Sequence, residues 1–214
     1  MFRRLKQNIK EKTGRATVTK YTPEQDQAIA LCEVSRKCVD DIQKAVDQIG
    51  QRWRSGGLTP TEEIGDPANV LSAKLPKGKY GQALRVVYEL QTEIGRLERR
   101  ASDELSKTYI EGTFKAWLNG ENQKGRQIIN ELKTRRVDKD ACISAHTSKP
   151  TPERQSQMET ANARFDEYLA VADMEFANFP TYQKNHARAI KNMAEMLANH
   201  YDECNKAAEK HAIK

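Results

Sequence analysis

The chain has 214 residues and a formal net charge of +6, and 37% of its residues are hydrophobic while 31% are charged. Its mean hydropathy is −0.83, and no apolar run is long enough for a secretory signal or a membrane-spanning helix, so we expect neither. This composition favours an elongated assembly of helices over a compact globule, because each helix of such an assembly exposes a polar side.

Residues 1–20 are predicted to form a basic amphipathic helix. Phe2, Leu5 and Ile9 recur at spacings of three and four, which places them on one helical face. The flanks and back carry five basic side chains: Arg3, Arg4, Lys6, Lys10 and Lys12. We expect the apolar face to enter a membrane and the basic residues to contact its head groups. A mitochondrial presequence and the start of a core helix are the alternatives.

The first long helix is predicted over residues 24–54. Apolar and small residues recur there at alternating spacings of three and four, which is typical of a coiled-coil seam. Thr22 and Pro23 supply a helix start, and Gly56 with its neighbour Gly57 ends the pattern.

Residues 55–79 differ in composition from the segments on either side. They contain three prolines and four glycines, so we expect a loop insert with at most one short helix, at residues 67–75. The apolar positions of this insert are few, and Glu62, Glu63 and Asp66 lie close to them.

A second long helix is predicted from Tyr80, where the three-four seam resumes. No proline occurs between Lys77 and Lys149, so one helix of about sixty residues, about 90 Å long, is expected. Three glycines predict bends in its second half: Gly112, Gly120 and Gly125.

A third helix is predicted from Pro152, with its seam running from Phe165 to Cys204. Pro180 lies in the middle of this stretch and predicts a kink, because proline removes one backbone hydrogen bond. Strand-like alternation occurs nowhere. The expected fold class is therefore all-α, with three long, kinked helices.

The sequence contains no motif typical of catalysis or of a metal site. Cys32, Cys38, Cys142 and Cys204 form no C-x-x-C pair, and we interpret them as reduced thiols of a cytosolic protein. The four histidines have no mutual ligand spacing. We expect no enzymatic activity, no metal and no cofactor, and the lack of a recognised module argues against nucleic-acid binding.

Positive charge is concentrated at the N-terminus and in two later segments, residues 52–79 and 124–154. The last segment supplies the predicted head-group contacts: Lys133, Arg135, Arg136, Lys139, Lys149 and Arg154. Binding to lipid phosphates is the functional interpretation, and stabilisation of a helix C-terminus through its dipole is the alternative. A weaker set lies in the earlier segment: Arg52, Arg54, Lys74, Lys77 and Lys79.

Several stretches in this order resemble the BAR domain family, and most closely the endophilin-type N-BAR domains. The start of the second predicted helix is "YGQALRVVYELQTEIGRLERRASDEL", and the start of the third is "ARFDEYLAVADMEFANF". The paired arginines near the distal tip correspond to "ELKTRRVDKD", and the short amphipathic insert to "DPANVLSAKL". In "YIEGTFKAWL", Gly112 stands where endophilins have a kinking proline. The sequence ends at Lys214, so we expect no SH3 domain.

The resemblance implies a homodimer in which two antiparallel three-helix coiled coils form a curved six-helix bundle. It further implies a membrane-inserting helix at residues 1–20 and a BAR domain at residues 21–214, with the insert at about 55–79. The dimer interface is predicted from the seams and the family: Leu31, Val39, Ile42, Leu84, Val87, Met193 and Leu197.

The expected function is a non-catalytic scaffold that senses and generates curvature on anionic membranes, with phosphoinositides as ligands. Its expected location is the cytoplasmic side of endocytic or vesicle membranes, as a peripheral protein. The alternative is a dimeric coiled-coil adaptor that binds a protein or cytoskeletal partner. The sequence does not identify any protein partner.

Overall fold

A computed structural model describes Gln7, residues 18–53 and residues 57–212 of the chain. The predicted inserting residues Phe2, Leu5 and Ile9 lie outside the described residues. The same holds for five predicted head-group ligands: Arg3, Arg4, Lys6, Lys10 and Lys12.

All regular structure in the described residues is helical, which confirms the predicted all-α class. The α-helices are α1 (Pro23–Trp53), α2 (Pro60–Lys74), α3 (Lys79–Glu104), α4 (Ala116–Asn119), α5 (Glu121–Ser148), α6 (Pro152–Phe176) and α7 (Phe179–His211). A π-helix, Leu105–Lys115, joins α3 to α4. The three long stretches predicted by the seams correspond to α1, to α3 through α5, and to α6 with α7.

Helix α1 begins with a reciprocal cap. The backbone N–H of Gln25 donates to the Thr22 hydroxyl (3.2 Å), and the backbone N–H of Thr22 donates to the Gln25 side chain (3.0 Å). Together with Pro23 in the first turn, this arrangement satisfies donors that the helix itself leaves unpaired. The start predicted from the sequence is therefore correct to one residue.

The insert contains a longer helix than the sequence analysis predicts. Helix α2 begins at Pro60, seven residues before the predicted start, because Thr59 and Glu62 form a capping box. Pro67 lies inside the helix without ending it. The predicted loop is thus mainly a fifteen-residue helix.

The second long stretch is a π-helix, not an α-helix, at Leu105–Lys115, which contains the predicted bend position Gly112. Leu105, Tyr109, Ile110 and Phe114 are buried on one side of the π-helix, whose wider turn brings residues four and five apart onto one face. A Cβ at Gly112 would lie 2.9 Å from the carbonyl oxygen of Lys107, so glycine suits this turn.

The other two predicted bends have different outcomes. Gly120 separates α4 from α5, whereas Gly125 lies within the uninterrupted helix α5. A Cβ there would be 3.7 Å from Cys32 and from the Phe179 ring, so the glycine lets other side chains pack closely against α5.

The third stretch is broken, rather than kinked, before Pro180. Helix α6 ends at Phe176, and α7 begins at Phe179, which places Pro180 in the first turn of a new helix. Proline is favoured there because the N–H it lacks has no partner in a first turn. Pro180 was correctly predicted to interrupt the helical stretch, and the interruption is a boundary between α6 and α7.

The chain forms two compact units. Unit 1 comprises residues up to Lys37 and Leu118–Gln183, and unit 2 comprises Cys38–Trp117 and the chain from Lys184 onward. In unit 1, α5 packs against the antiparallel helix α6, and two apolar clusters form its core. The buried members of these clusters are Cys32, Ile129, Phe179, Leu132, Phe165 and Ala172.

Unit 2 is built around the π-helix and the hairpin of α2 and α3. Leu105 and Phe114 are completely buried. The hydroxyl of Ser102 donates to the carbonyl of Gly50 (2.8 Å), which ties α3 to α1. None of the helices in the described part of the chain combines the length and apolarity needed to cross a bilayer.

Candidate functional site

The segment before α1 is fixed to α5 by Asp140. The backbone N–H of Thr19 lies 3.2 and 3.1 Å from the two carboxylate oxygens, and the Thr19 hydroxyl also donates to this carboxylate. The Arg136 guanidinium lies 3.3 Å from the same group. Asp140 is only 2% exposed, and hydrogen bonds to a buried charge are among the stronger ones. This arrangement, called the N-terminal root below, fixes Thr19 on α5.

A second contact involves a residue within the basic stretch itself. The Ser144 hydroxyl donates to the side-chain oxygen of Gln7 (3.4 Å), and Gln7 is buried. Ser144 follows Asp140 by one helical turn on α5. Both contacts therefore place Gln7 and Thr19 against the C-terminal half of α5.

Two of the predicted head-group ligands on and after α5 are free lysines. Lys133 and Lys149 are exposed, and neither makes an ion pair with the described residues. Arg135 is partly exposed and pairs with Glu131 at 2.7 Å. These side chains lie in the same unit as the N-terminal root.

The remaining three predicted ligands have contacts within the fold. The Arg136 side chain is 15% exposed and pairs with Asp140. Lys139 is 17% exposed, lies 3.4 Å from Asp166 and stacks 4.4 Å above the Phe165 ring.

Arg154 caps the C-terminus of α5. Its guanidinium donates to the carbonyl oxygens of Ala145 (2.8 Å) and Lys149 (3.4 Å). For this residue the alternative given above, stabilisation of a helix end, has direct structural support. Its assignment as a head-group ligand stays a prediction.

The predicted dimer-interface residues differ in how much of each side chain is exposed in the single chain. Val87 is 36% exposed, and four others are partly exposed: Leu31, Ile42, Leu84 and Leu197. Val39 and Met193 are only 4% and 9% exposed in the single chain. These two belong to the core of unit 2 and have little surface left for a partner chain.

Helix α2 is held on α3 by a buried carboxylate. Glu62 accepts from both terminal nitrogens of Arg99 and from the backbone N–H of Thr59. The hydrogen bonds from Arg99 hold the pKa of Glu62 below its usual range. A Cβ at Gly95 would lie 2.4 Å from the Glu62 side chain, so glycine is required beneath it.

The exposed surface of α2 is mixed. Four large apolar side chains on α2 or at its end are exposed, Ile64, Val70, Leu71 and Leu75, and so are the acidic residues Glu63 and Asp66. Ile64, Leu71 and Leu75 fall on one stripe at helical spacing. Lys74, Lys77 and Lys79 are exposed beside the end of this stripe.

Three titratable side chains in the described part of the chain have a structural role in the fold: Cys32, Cys204 and His200. Burial raises the pKa of the Cys32 and Cys204 thiols, which disfavours the reactive thiolate. Burial also lowers the pKa of His200, whose ring lies 4.8 Å from that of Trp53. Within residues 18–53 and 57–212, no cluster of three His, Cys, Asp or Glu side chains could hold a metal.

Sequence analysis did not find Thr19, Asp140, Glu62 or Arg99. The Thr59–Glu62 capping box could have been recognised, because Thr and Glu three residues apart precede a helical pattern. No local signal connects Thr19 to Asp140, which are 121 positions apart.

Comparison with known families gives one match over the chain. The model of the BAR domain family matches residues 1–213. No curated protein matches the chain.

Proposed function

The chain belongs to the BAR domain family, and from this premise we propose that it binds anionic membranes as a homodimer and senses or generates their curvature. BAR domains are generally non-catalytic scaffolds that dimerise, bind lipid membranes peripherally and respond to curvature. The single observation that carries the proposal is the family match over almost the whole chain.

The preference for anionic lipid is supported by the charges around the N-terminal root. Lys133 and Lys149 are exposed, and neither pairs with an acidic side chain in the part of the chain that the structure describes. Seven basic residues lie within residues 1–20, and Thr19 fixes the end of that stretch to α5. Each basic side chain near an anionic surface contributes about 1 kcal/mol, so even part of this set yields appreciable attraction.

Residues 1–20 act in this proposal as an inserting helix. Burying Phe2, Leu5 and Ile9 contributes about 1.5–3 kcal/mol each, and each basic side chain beside them on an anionic leaflet adds about 1 kcal/mol. Ordering the roughly a dozen residues that carry these side chains costs about 1 kcal/mol or more for each residue. One copy is therefore close to balance. Two copies on one dimer raise the effective concentration of the second and make insertion firm.

The apolar stripe of α2 supplies a second surface for lipid. Ile64, Leu71 and Leu75 are exposed, and the acidic group of Glu62 is paired with Arg99. The lysines at the C-terminal end of α2 lie beside the stripe, which favours contact with an anionic interface. The lipid contact of α2 is inferred from the resemblance to endophilins. A location on endocytic or vesicle membranes is inferred from the same resemblance.

Co-sedimentation with vesicles tests the binding. Vesicles of phosphatidylcholine alone are compared with vesicles that also contain phosphatidylserine, each at low and at physiological salt. We expect binding to the anionic vesicles, weakened by salt because the attraction is electrostatic. Equal binding to both compositions, or none, would favour the adaptor that binds a protein partner.

Two further measurements test the assembly and its effect on membranes. Sedimentation equilibrium should give a dimer at micromolar concentration, and a folded monomer there would contradict the proposal. Electron cryomicroscopy of vesicles mixed with the protein should show tubules of uniform diameter. An adaptor with no preference for lipid predicts intact spherical vesicles.

A further inference from the structure

A cavity in unit 2 lies between α7 and the junction of α3 with the π-helix. Its volume is about 320 Å³, and its described lining comes from two parts of the chain, residues 100–109 and 192–203. Sites that hold small organic ligands typically have volumes of about 300–1,000 Å³. The cavity is therefore large enough for one small organic group.

The described lining of this cavity carries an excess of negative charge. Glu104, Glu195 and Glu203 line it, against a single arginine, Arg100. Arg100 pairs with Glu203, so these two charges offset each other. The carboxylates of Glu104 and Glu195 remain, although the whole chain has a net charge of +6. A local excess of carboxylates on a basic protein favours a cationic ligand.

A buried hydroxyl in the same cavity lacks a partner. Tyr109 lines the cavity and is only 6% exposed, and its hydroxyl forms no hydrogen bond with another described residue. Burial raises the pKa of this phenol, and the nearby carboxylates of Glu104 and Glu195 raise it further. The phenol therefore stays neutral. A buried polar group without a partner is costly, and a ligand that donates to the phenol oxygen removes this cost.

The π-helix brings Tyr109 to the same side of the chain as Glu104. Glu104 is the last residue of α3, and Tyr109 follows it by five positions. In an α-helix such positions point about 140° apart, whereas the wider turn of a π-helix brings them together. Glu195 belongs to α7 and lines the cavity from the other part of the chain. The change in winding thus assembles three oxygen groups in one place.

These oxygen groups match the donors of an ammonium ion. An ammonium has three donors and no acceptor, and its hydrogen bonds to carboxylates are charge-assisted. Met196 and the ring of His200 also line the cavity and suit an alkyl stem. We propose that this cavity binds a primary ammonium group on an alkyl chain, with the ammonium held by Glu104, Glu195 and Tyr109.

Two observations favour an organic cation over the alternatives. In the part of the chain that the structure describes, no cluster of three His, Cys, Asp or Glu side chains could hold a metal ion. His200 is 4% exposed and burial lowers its pKa, so at neutral pH its ring adds no positive charge that would repel the ligand.

Lys191 is the competitor that the ligand must displace. Its ammonium lies 3.6 Å from the Glu195 carboxylate, and both side chains are largely exposed. Exposed pairs of this kind contribute little to stability, so a ligand that also reaches Glu104 and Tyr109 can replace Lys191. The inference concerns unit 2 alone and does not depend on membrane binding.

Titration with n-pentylammonium chloride, followed by NMR of the His200 ring at pH 7.5, tests the site. The chain has four histidines, and the signal of His200 is identified by its absence in His200→Phe. We expect a saturable shift with n-pentylammonium. Pentan-1-ol has the same alkyl chain without the charge and should cause no such shift.

Variants locate the binding within the cavity. Affinity should fall about tenfold in Glu104→Gln and in Tyr109→Phe, since each removes one hydrogen-bond partner of a charged group. Asp103→Asn is the matched control, because Asp103 is an exposed acid beside Glu104 that does not line the cavity. Lys191→Ala should tighten binding by about twofold, because it frees the Glu195 carboxylate from a weak pair. Circular dichroism of each variant establishes that the fold is kept.

Two further ligands distinguish the sources of the ammonium group. Tighter binding of 1,5-diaminopentane assigns the cavity to a free amine, whereas tighter binding of Nα-acetyl-lysine methylamide assigns it to a lysine side chain of a partner protein. An equal shift with pentan-1-ol, or an equal loss of affinity in Asp103→Asn and Glu104→Gln, would overturn the proposed ammonium site.

Discussion

Thr19 donates its backbone N–H and its hydroxyl to the buried carboxylate of Asp140, 121 positions later in the chain. Arg136 contacts the same carboxylate from one helical turn away. The burial of Asp140 is compensated by these donors, as a charge that is out of water requires. The contact therefore fixes Thr19, near the end of the basic N-terminal stretch, on α5.

Asp140→Asn is expected to loosen this root. The amide keeps the volume of the carboxylate but loses its charge and one acceptor, so the hydrogen bonds from Thr19 weaken. Trypsin should cleave after Lys20 about tenfold faster, because proteolysis follows the population of the open state. Glu167→Gln, an exposed change on α6, is the control and should leave the rate unchanged. Equal rates for wild type and Asp140→Asn would show that the root does not depend on this charge.

The sequence predicted the helices well because their signals are local. The seams, the start at Thr22 and the kink predicted at Pro180, which is a helix boundary in the structure, all follow from residues less than two turns apart. The π-helix and the early start of α2 were missed, although the capping box of Thr59 and Glu62 is also local. The Thr19–Asp140 contact could not be predicted, because its two residues meet only when the chain has folded.

The contacts of the predicted head-group ligands could not be predicted from the sequence either. Sequence spacing treats Lys133, Arg136 and Arg154 alike, because all three are basic residues near one helix end. Folding separates them: Arg136 contacts a buried acid, Arg154 caps carbonyl groups, and Lys133 is exposed with no ion pair to a described residue. Burial and hydrogen bonding, which one sequence does not reveal, decide which charges are available to a membrane.

Lys133→Glu combined with Lys149→Glu is expected to reduce binding to phosphatidylserine vesicles at physiological salt, by about tenfold or more. Each neutralised attraction is worth about 1 kcal/mol, and reversal adds repulsion. Helicity should be unchanged, because neither side chain pairs with a described residue.

The control for this pair must have the same net charge. Lys107→Glu with Lys206→Glu changes two exposed lysines of unit 2 by the same amount. If this control loses as much binding as the pair in unit 1, overall charge and not position governs binding.

His200 should make stability depend on pH. It is 4% exposed, and burial holds its pKa below the usual histidine value of 6.5, while Glu98 and Glu203 oppose this shift and Arg100 adds to it. The unfolded chain therefore takes up a proton that the folded chain resists. Stability is complete above about pH 6.5 and decreases as the pH falls toward the lowered pKa.

Thermal unfolding followed by circular dichroism at pH 7.5 and at pH 5.5 measures this effect. The midpoint of wild type should decrease by a few degrees more than that of His200→Phe, which keeps a ring against Trp53 but cannot titrate. Equal decreases in the two proteins would mean that other groups cause the pH dependence.

Ile64→Asp is expected to weaken vesicle binding without unfolding α2. Ile64 is 63% exposed, so the substitution removes apolar surface from the proposed lipid contact and little from the core. Ala73→Asp adds the same charge on the same helix, away from the stripe, and should have the smaller effect. Co-sedimentation with phosphatidylserine vesicles compares the three proteins, and indistinguishable losses in the two variants would remove α2 from the contact.

Phe2→Glu should abolish tubulation more than it weakens binding. The substitution places a charge where the proposed inserting face meets hydrocarbon, while the basic residues of α5 still hold the body of the protein on the membrane. An apolar wedge expands only the leaflet that it enters, which is why its loss should affect curvature first. Asn8→Glu adds the same charge off the apolar face and serves as the control. Electron cryomicroscopy measures tubules and co-sedimentation measures binding on the same samples. If Phe2→Glu forms tubules as readily as Asn8→Glu does, Phe2, Leu5 and Ile9 do not act as a wedge, and curvature must come from the folded body.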